Sequence, residues 1–303
     1  MKKKLVFKGA GCALVTPMKR GRIDYSALDN IIEEQIKGGT EALIVGGTTG
    51  EAATLSDTER YELFAHVKER LSERAKLIFG TGTNDTRLAI KHTLMAERIG
   101  CDAILTVTPY YNKGTFRGVT EHYKRIADAT SLPIILYNVP GRTGVNLTVR
   151  QLEELARIEN IVGIKEAGDS ADRLTELSRF GDELWLYAGC DSQIFEVLSL
   201  GGAGVISVVS NIYPRAVAEL CESYFSGDVK NSHLLQLRML EFIKLMFSET
   251  NPSPIKYAMS LLGLCSSEVR LPLYRPEKST RAAIKAEMDR LHSAYPNDFH
   301  ALF

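Results

Sequence analysis

The chain has 303 residues, 45% hydrophobic and 24% charged, with 37 basic against 37 acidic side chains and a formal net charge of zero. That length allows one large α/β barrel or two smaller domains, and the balanced charge argues against nucleic acid or an anionic membrane as the principal partner. An acidic substrate would have to be held by local features.

The amino end, Met1-Lys2-Lys3-Lys4, imitates a secretion signal, but its apolar stretch Leu5-Val6-Phe7 stops at Lys8. An export segment needs roughly 7 to 15 apolar residues, so no export is expected. No run is long enough to span a bilayer. The five cysteines, Cys12, Cys101, Cys190, Cys221 and Cys265, lie far apart without a CxxC pair. They fit reduced thiols in a cytoplasmic protein better than a disulfide framework or a zinc site. Neither HxH nor HExxH spacing occurs among the six histidines, so no metal centre is expected.

In chain order, short apolar runs predict strands over 12–15, 42–45, 77–79, 103–107, 134–137, 161–165, 184–188 and 205–208. Helical periodicity fills the intervals over 25–37, 58–71, 87–99, 116–129, 149–158, 173–180, 194–200 and 215–225. Capping signals precede several helices: Ser56-Asp57-Thr58-Glu59, Asn84-Asp85-Thr86, Asp169-Ser170 and Asp191-Ser192. Eight strand–helix units predict an α/β fold, a (β/α)₈ TIM barrel over residues 1–226. A doubly wound open sheet is the alternative, but it usually wants a GxGxxG turn after its first strand, and Cys12-Ala13-Leu14-Val15-Thr16-Pro17 has none. Beyond Gly227 only helical patterns remain, over 234–247, 254–262 and 280–292, predicting a helical extension over 227–303.

Barrel sites are assembled at the carboxyl ends of the strands. The sixth run, Ile161-Val162-Gly163-Ile164-Lys165-Glu166, carries a lysine at that end. Strand alternation puts Ile161, Gly163 and Lys165 on one face, with Gly163 leaving room for the lysine stem. At an ordinary pKa of about 10.4, only about one amine in a few thousand is neutral at pH 7. Burial that brought it to roughly 7 or 8 would make Lys165 a nucleophile; a paired structural charge is the competing explanation. Gly46-Gly47-Thr48-Thr49-Gly50-Glu51 follows the second strand, and its hydroxyls and amides could bind a carboxylate. The paired tyrosines Tyr110 and Tyr111 follow the fourth. The fifth ends in Tyr137-Asn138-Val139-Pro140-Gly141-Arg142, giving a phenol able to carry protons and a guanidinium able to grip a carboxylate. Gly189 lies at the end of the seventh strand and Ile206 in the eighth. The Gly201–Gly204 cluster precedes the eighth strand rather than following it, so a phosphate site is only weakly indicated.

Together, Gly46-Gly47-Thr48-Thr49-Gly50-Glu51, Tyr137-Asn138-Val139-Pro140 and Gly163-Ile164-Lys165-Glu166 resemble the dihydrodipicolinate synthase / N-acetylneuraminate lyase family. The later Asn251-Pro252-Ser253-Pro254-Ile255-Lys256 segment also matches and is expected to be structural. The resemblance implies a metal-free, cofactor-free reaction through an imine between Lys165 and pyruvate. It implies proton transfer by Tyr137, relayed through Thr49 to Tyr111 of a neighbouring subunit in a homotetramer built as a dimer of dimers. It further implies that Thr48 and Thr49 hold the pyruvate carboxylate, that Gly189 and Ile206 line the pocket, and that Arg142 binds the second substrate.

An arginine in the Gly-Arg-Thr-Gly turn resembles the members that join pyruvate to L-aspartate-4-semialdehyde, giving 4-hydroxy-tetrahydrodipicolinate for diaminopimelate and lysine biosynthesis. The sugar-acid lyases of the family usually lack it; they and a non-catalytic acid-binding barrel are the rival readings. Asn84 and Tyr110 match the lysine site of feedback-inhibited members. Ala52, Asp57, Arg60 and Leu88 replace serine, two histidines and glutamate there, so weak or absent inhibition is expected.

Overall fold

The computed structural model describes residues 2–168 and 170–299. Eight parallel strands close into a barrel in sequential order: β1 (Gly9–Ala13), β2 (Ala42–Val45), β3 (Lys76–Gly80), β4 (Ala103–Val107), β5 (Ile134–Asn138), β6 (Ile161–Glu166), β7 (Trp185–Ala188) and β8 (Gly204–Ser207). β1 closes the ring by pairing with β8 on one side, Gly9 opposite Gly204, and with β2 on the other, Gly11 opposite Ala42. The open-sheet alternative is thereby set aside.

Between the strands run α1 (Tyr25–Lys37), α2 (Asp57–Leu71), α3 (Thr86–Ile99), α4 (Phe116–Asp128), α5 (Val149–Leu155), α6 (Ala171–Ser178) and α7 (Ile194–Ser199), with α8 (Pro214–Ser226) after β8. Their starts are chemically marked. Ser56 and Glu59 form a reciprocal capping box on α2, Thr148 and Gln151 another on α5, and Asp85 accepts from the Arg87 amide at the head of α3. Ser170 caps α6, whereas Asp169, expected to share that role, lies outside the described residues.

Two apolar layers result. The outer one joins the strand faces Leu43, Val45, Phe79 and Leu136 to the helices, and continues without a break into α9 (Val229–Met246), α10 (Ser253–Leu261) and α11 (Lys278–Ala294). The inner one fills the barrel with Ala42, Ile44, Ile78, Leu105, Ile135 and Ile206. Phe7, ahead of β1, stacks on Tyr187 at 4.5 Å between ring centroids and closes the amino end of the barrel. That leaves the carboxyl end as the mouth.

Three expectations need correction. β1 ends at Ala13 rather than Val15, because Val15 donates its amide to the Asn211 side chain instead of a neighbouring strand. The pairing of β5 with β6 slips at Ile134 and Ile135, which face Ile161 and Gly163 in register. This bulge turns Ile161 to the outer layer and Val162 to the inner one, so Ile161 does not share a face with Lys165. Asp191 caps no helix: its carboxylate accepts from Ser207 Oγ and from the Val208 and Val209 amides, tying the end of β7 to the end of β8.

Candidate active site

Lys165 stands one residue from the end of β6, in register with Tyr137 of β5 and Tyr187 of β7. Its side chain is 5% exposed. The amine lies 4.5 Å from the centroid of the Tyr137 ring, an arrangement in which the ring face stabilises a cation. Among the described residues it makes no hydrogen bond and no ion pair. The room expected of Gly163 serves a neighbour: a Cβ there would meet the Trp185 carbonyl at 2.9 Å and the Tyr187 ring at 3.3 Å. Gly163 thus lets β7 approach rather than accommodating the lysine stem.

The residues flanking Lys165 and Tyr137 lock both strands in place. Asn138 donates to both oxygens of Glu166, at 2.8 and 3.0 Å, and accepts from the Leu147 amide. Glu166 also accepts from Arg173 Nε at 2.9 Å, an ion pair in which the carboxylate is buried and the guanidinium is partly buried. The quoted motifs contain Asn138 and Glu166, yet nothing local marks them as partners, because their contact depends on strand register.

β2 ends opposite β6 in the ring. Gly46 has φ +69°, and a Cβ on it would strike the Phe64 ring at 2.7 Å, so the loop turns over Phe64 only with glycine there. Beyond it Thr48 is half-buried and Thr49 is 3% exposed. Among the described residues neither threonine amide donates a hydrogen bond, leaving two N–H groups available to an anion. Asn251 Nδ2 donates to Thr49 Oγ1 at 2.9 Å. One residue past this loop end, Glu51 is buried and paired with Lys256 at 2.6 Å, each side chain 0% exposed.

Thr48, Tyr137, Arg142 and Asn251 line one cavity of about 500 Å³ at the mouth. Arg142 sits in a short helical turn, Pro140–Thr143, and donates to the Asn251 carbonyl at 3.2 Å. The cavity continues past Ala52, Asp57, Arg60, Asn84, Leu88 and Tyr110. Gly189 packs tightly at the end of β7, where a Cβ would meet the Glu166 carbonyl at 2.5 Å, and Ile206 is fully buried in the inner layer. Neither is part of that cavity wall. Tyr111 is not either: it is 88% exposed.

Asp191, at the foot of this region, is wholly buried. Desolvation raises its pKa, while its bonds to Ser207, Val208 and Val209 and the charge of Lys165 pull the other way. No cluster of three or more His, Cys, Asp or Glu among the described residues is placed to hold a metal ion, and none of their helices is long and apolar enough to cross a membrane.

The sequence profile of the Dihydrodipicolinate synthetase family matches residues 6–291. The chain belongs to that family. It is 44% identical over 286 residues to the 4-hydroxy-tetrahydrodipicolinate synthase of Alkaliphilus oremlandii, covering 94% of this chain and 99% of the relative. Among solved structures, the synthase of Methylacidiphilum fumariolicum superposes with a TM-score of 0.93 at 38% identity, covering 95% and 96% of the two chains. A chloride-inhibited dihydrodipicolinate synthase from Acinetobacter baumannii, solved with pyruvate, gives 0.91 at 39% identity over 93% and 98%. Within the family frame, sequence reasoning assigned Lys256 and Asn251 only a structural segment. The fold brings both against the threonine loop from more than 200 positions away.

Proposed function

We propose that the mouth of this barrel condenses pyruvate with L-aspartate-4-semialdehyde to 4-hydroxy-tetrahydrodipicolinate, with Lys165 as the imine-forming amine. The reaction is the carbon–carbon bond-forming step that enters diaminopimelate and lysine biosynthesis. The observation that carries the residue assignment is a buried lysine with neither ion pair nor hydrogen bond among the described residues, at a strand end, 4.5 Å from the ring centroid of Tyr137.

The unprotonated Lys165 amine adds to the ketone of pyruvate and water leaves, forming an iminium. The iminium withdraws electrons from the adjacent methyl, which loses a proton to give an enamine. The free amides of Thr48 and Thr49 and the Thr48 hydroxyl hold the pyruvate carboxylate. Tyr137 and Thr49 move protons, completed by Tyr111 from a neighbouring subunit, for which an 88% exposed tyrosine is well suited. Arg142 grips the carboxylate of the semialdehyde while the enamine carbon attacks its aldehyde. The substrate's own amine then closes the ring onto the iminium carbon and releases Lys165. Gly189 and Ile206 pack behind the cavity, at the β7 and β8 ends. No metal or organic cofactor takes part in this scheme. We assign 1–226 to the catalytic barrel and 227–303 to the helical extension, and place the homotetramer in the cytoplasm.

Turnover of pyruvate with L-aspartate-4-semialdehyde, measured beside cleavage of N-acetylneuraminate, tests the assignment. Product from the first pair alone is expected; sugar-acid cleavage alone would overturn it. Free lysine should inhibit weakly or not at all. Arg60 is buried in the side wall of the cavity, bonded to the Gly80 and Ala52 carbonyls, and Asp57 is taken by Lys91 and His92. An arriving ammonium therefore meets a fixed cation where it needs a free carboxylate. Low-micromolar inhibition would contradict this.

A further inference from the structure

Asn251 lies between α9 and α10, outside the barrel strands, yet it lines the mouth cavity and is 4% exposed. Its Nδ2 donates to Thr49 Oγ1 at 2.9 Å, and its backbone carbonyl accepts from Arg142 Nη2 at 3.2 Å. Its Oδ1 is buried without a partner among the described residues. A hydroxyl has one proton to give and two lone pairs to receive with. Because the amide donates into one lone pair, the proton of Thr49 is left for another acceptor, and among the described residues it has none. Both ends of this bond are anchored close by: Lys256, after Asn251, is ion-paired with Glu51, after Thr49, and also donates to the Thr16 carbonyl at 3.0 Å.

We propose that Asn251 is a positioning residue whose carboxamide holds the Thr49 hydroxyl with its proton free for the Tyr137 phenol, while its backbone carbonyl steadies Arg142. One residue of the helical extension thereby sets the proton path and braces the grip on the second substrate. The proposal rests on the roles given above to Thr49 and Arg142.

The test is exchange of the pyruvate methyl protons with D₂O, followed by NMR without the second substrate. Asn251→Asp keeps the shape but can only accept, so it draws the Thr49 proton toward itself. Exchange should slow about 10- to 100-fold, more than in Asn251→Ala, while borohydride still captures pyruvate on Lys165. A merely structural residue would give the reverse ranking, since aspartate preserves the packing and alanine does not. In a Thr49→Val background the aspartate change should cost less than about 2-fold further, because the proton it redirects is gone. The bond to Arg142 uses the backbone, so KM for the semialdehyde should stay within about 3-fold in both variants.

Wild-type exchange in Asn251→Asp, a milder effect than in Asn251→Ala, or full additivity with Thr49→Val would overturn the proposal. If the aspartate variant does not fold, Asn251→Ala is read alone and in the Thr49→Val background: slowing that disappears once Thr49 is valine, with pyruvate capture intact, supports the proposal, and unchanged exchange or full additivity sinks it. Failure of the wild-type protein to capture pyruvate on Lys165 would bring down the imine chemistry and this proposal with it; capture with unaltered exchange would bring down the proposal only.

Discussion

Lys256 and Lys165 are both buried, at 0% and 5% exposure, and both lie near the mouth of the barrel, yet their surroundings differ completely. Lys256 is saturated: its ammonium bonds Glu51 at 2.6 Å and the Thr16 carbonyl at 3.0 Å, and Glu51 in turn accepts from the Arg270 amide. Lys165 makes no hydrogen bond or ion pair among the described residues; it meets the face of a phenol ring, and its charge is felt by the buried Asp191. A buried cation that meets its carboxylate holds structure together, whereas Lys165, with no carboxylate bonded to it among the described residues, is the amine proposed here for bond formation. Burial alone does not separate the two; the partner does.

The comparison breaks most sharply under substitution. Lys165→Ala should lower kcat by at least about 1,000-fold, as expected for loss of a covalent nucleophile, without lowering the melting temperature, since no ion pair is lost. An assay of the substrate pair beside calorimetry checks both halves. Lys256→Met should do the opposite, leaving Glu51 buried without its cation and costing about 3–5 kcal/mol in urea unfolding. Adding Glu51→Gln to it should recover part of that loss.

His122 sharpens the same contrast from another side. It too is buried, with Nε2 unpartnered among the described residues, but it sits on α4 outside the mouth cavity. Desolvation pushes its pKa down from 6.5 to about 4. The folded state therefore binds fewer protons than the unfolded chain between those values. Its contribution is intact above about pH 6.5 and is lost as the pH falls toward 4, by roughly 2–3 kcal/mol in all. His122→Gln should flatten that part of the stability-versus-pH curve. The smallest effect belongs to a pair that is partly exposed: Glu59 bonds Arg270, which holds its carboxyl down to about 2. Glu59→Gln should cost about 1 kcal/mol in unfolding near neutral pH, well short of the Lys256 change.

The barrel was legible because its signals are local. Apolar runs of the right length, separated by capped helices, placed the barrel strands, the first only in part, and 42–45 and 103–107 match their strands end to end; the short antiparallel pair Met18–Lys19 and Arg22–Ile23 was missed. What the sequence hid depends on pairing between strands or between distant segments. The bulge that turns Ile161 outward exists only in the register of β5 on β6. Asp191 reads as a helix cap, yet it is drawn to β8 by three donors. Asn251 and Lys256 reach Thr49 and Glu51 across more than 200 residues, and no periodicity reports a contact of that range. Lys165, Tyr137, Thr48, Thr49 and Arg142 were legible as candidates because barrel strand ends converge by topology alone. Of the candidates, Thr48, Tyr137 and Arg142 line the mouth cavity; Lys165, Thr49, Gly189 and Ile206 do not, and Tyr111 is 88% exposed outside it.

The most direct test of the central claim is borohydride reduction in the presence of pyruvate, followed by peptide mass spectrometry. One pyruvate-derived adduct, on Lys165 and absent from Lys256, is the predicted result. An unmodified Lys165, or an adduct on another lysine with activity lost in step, would contradict it.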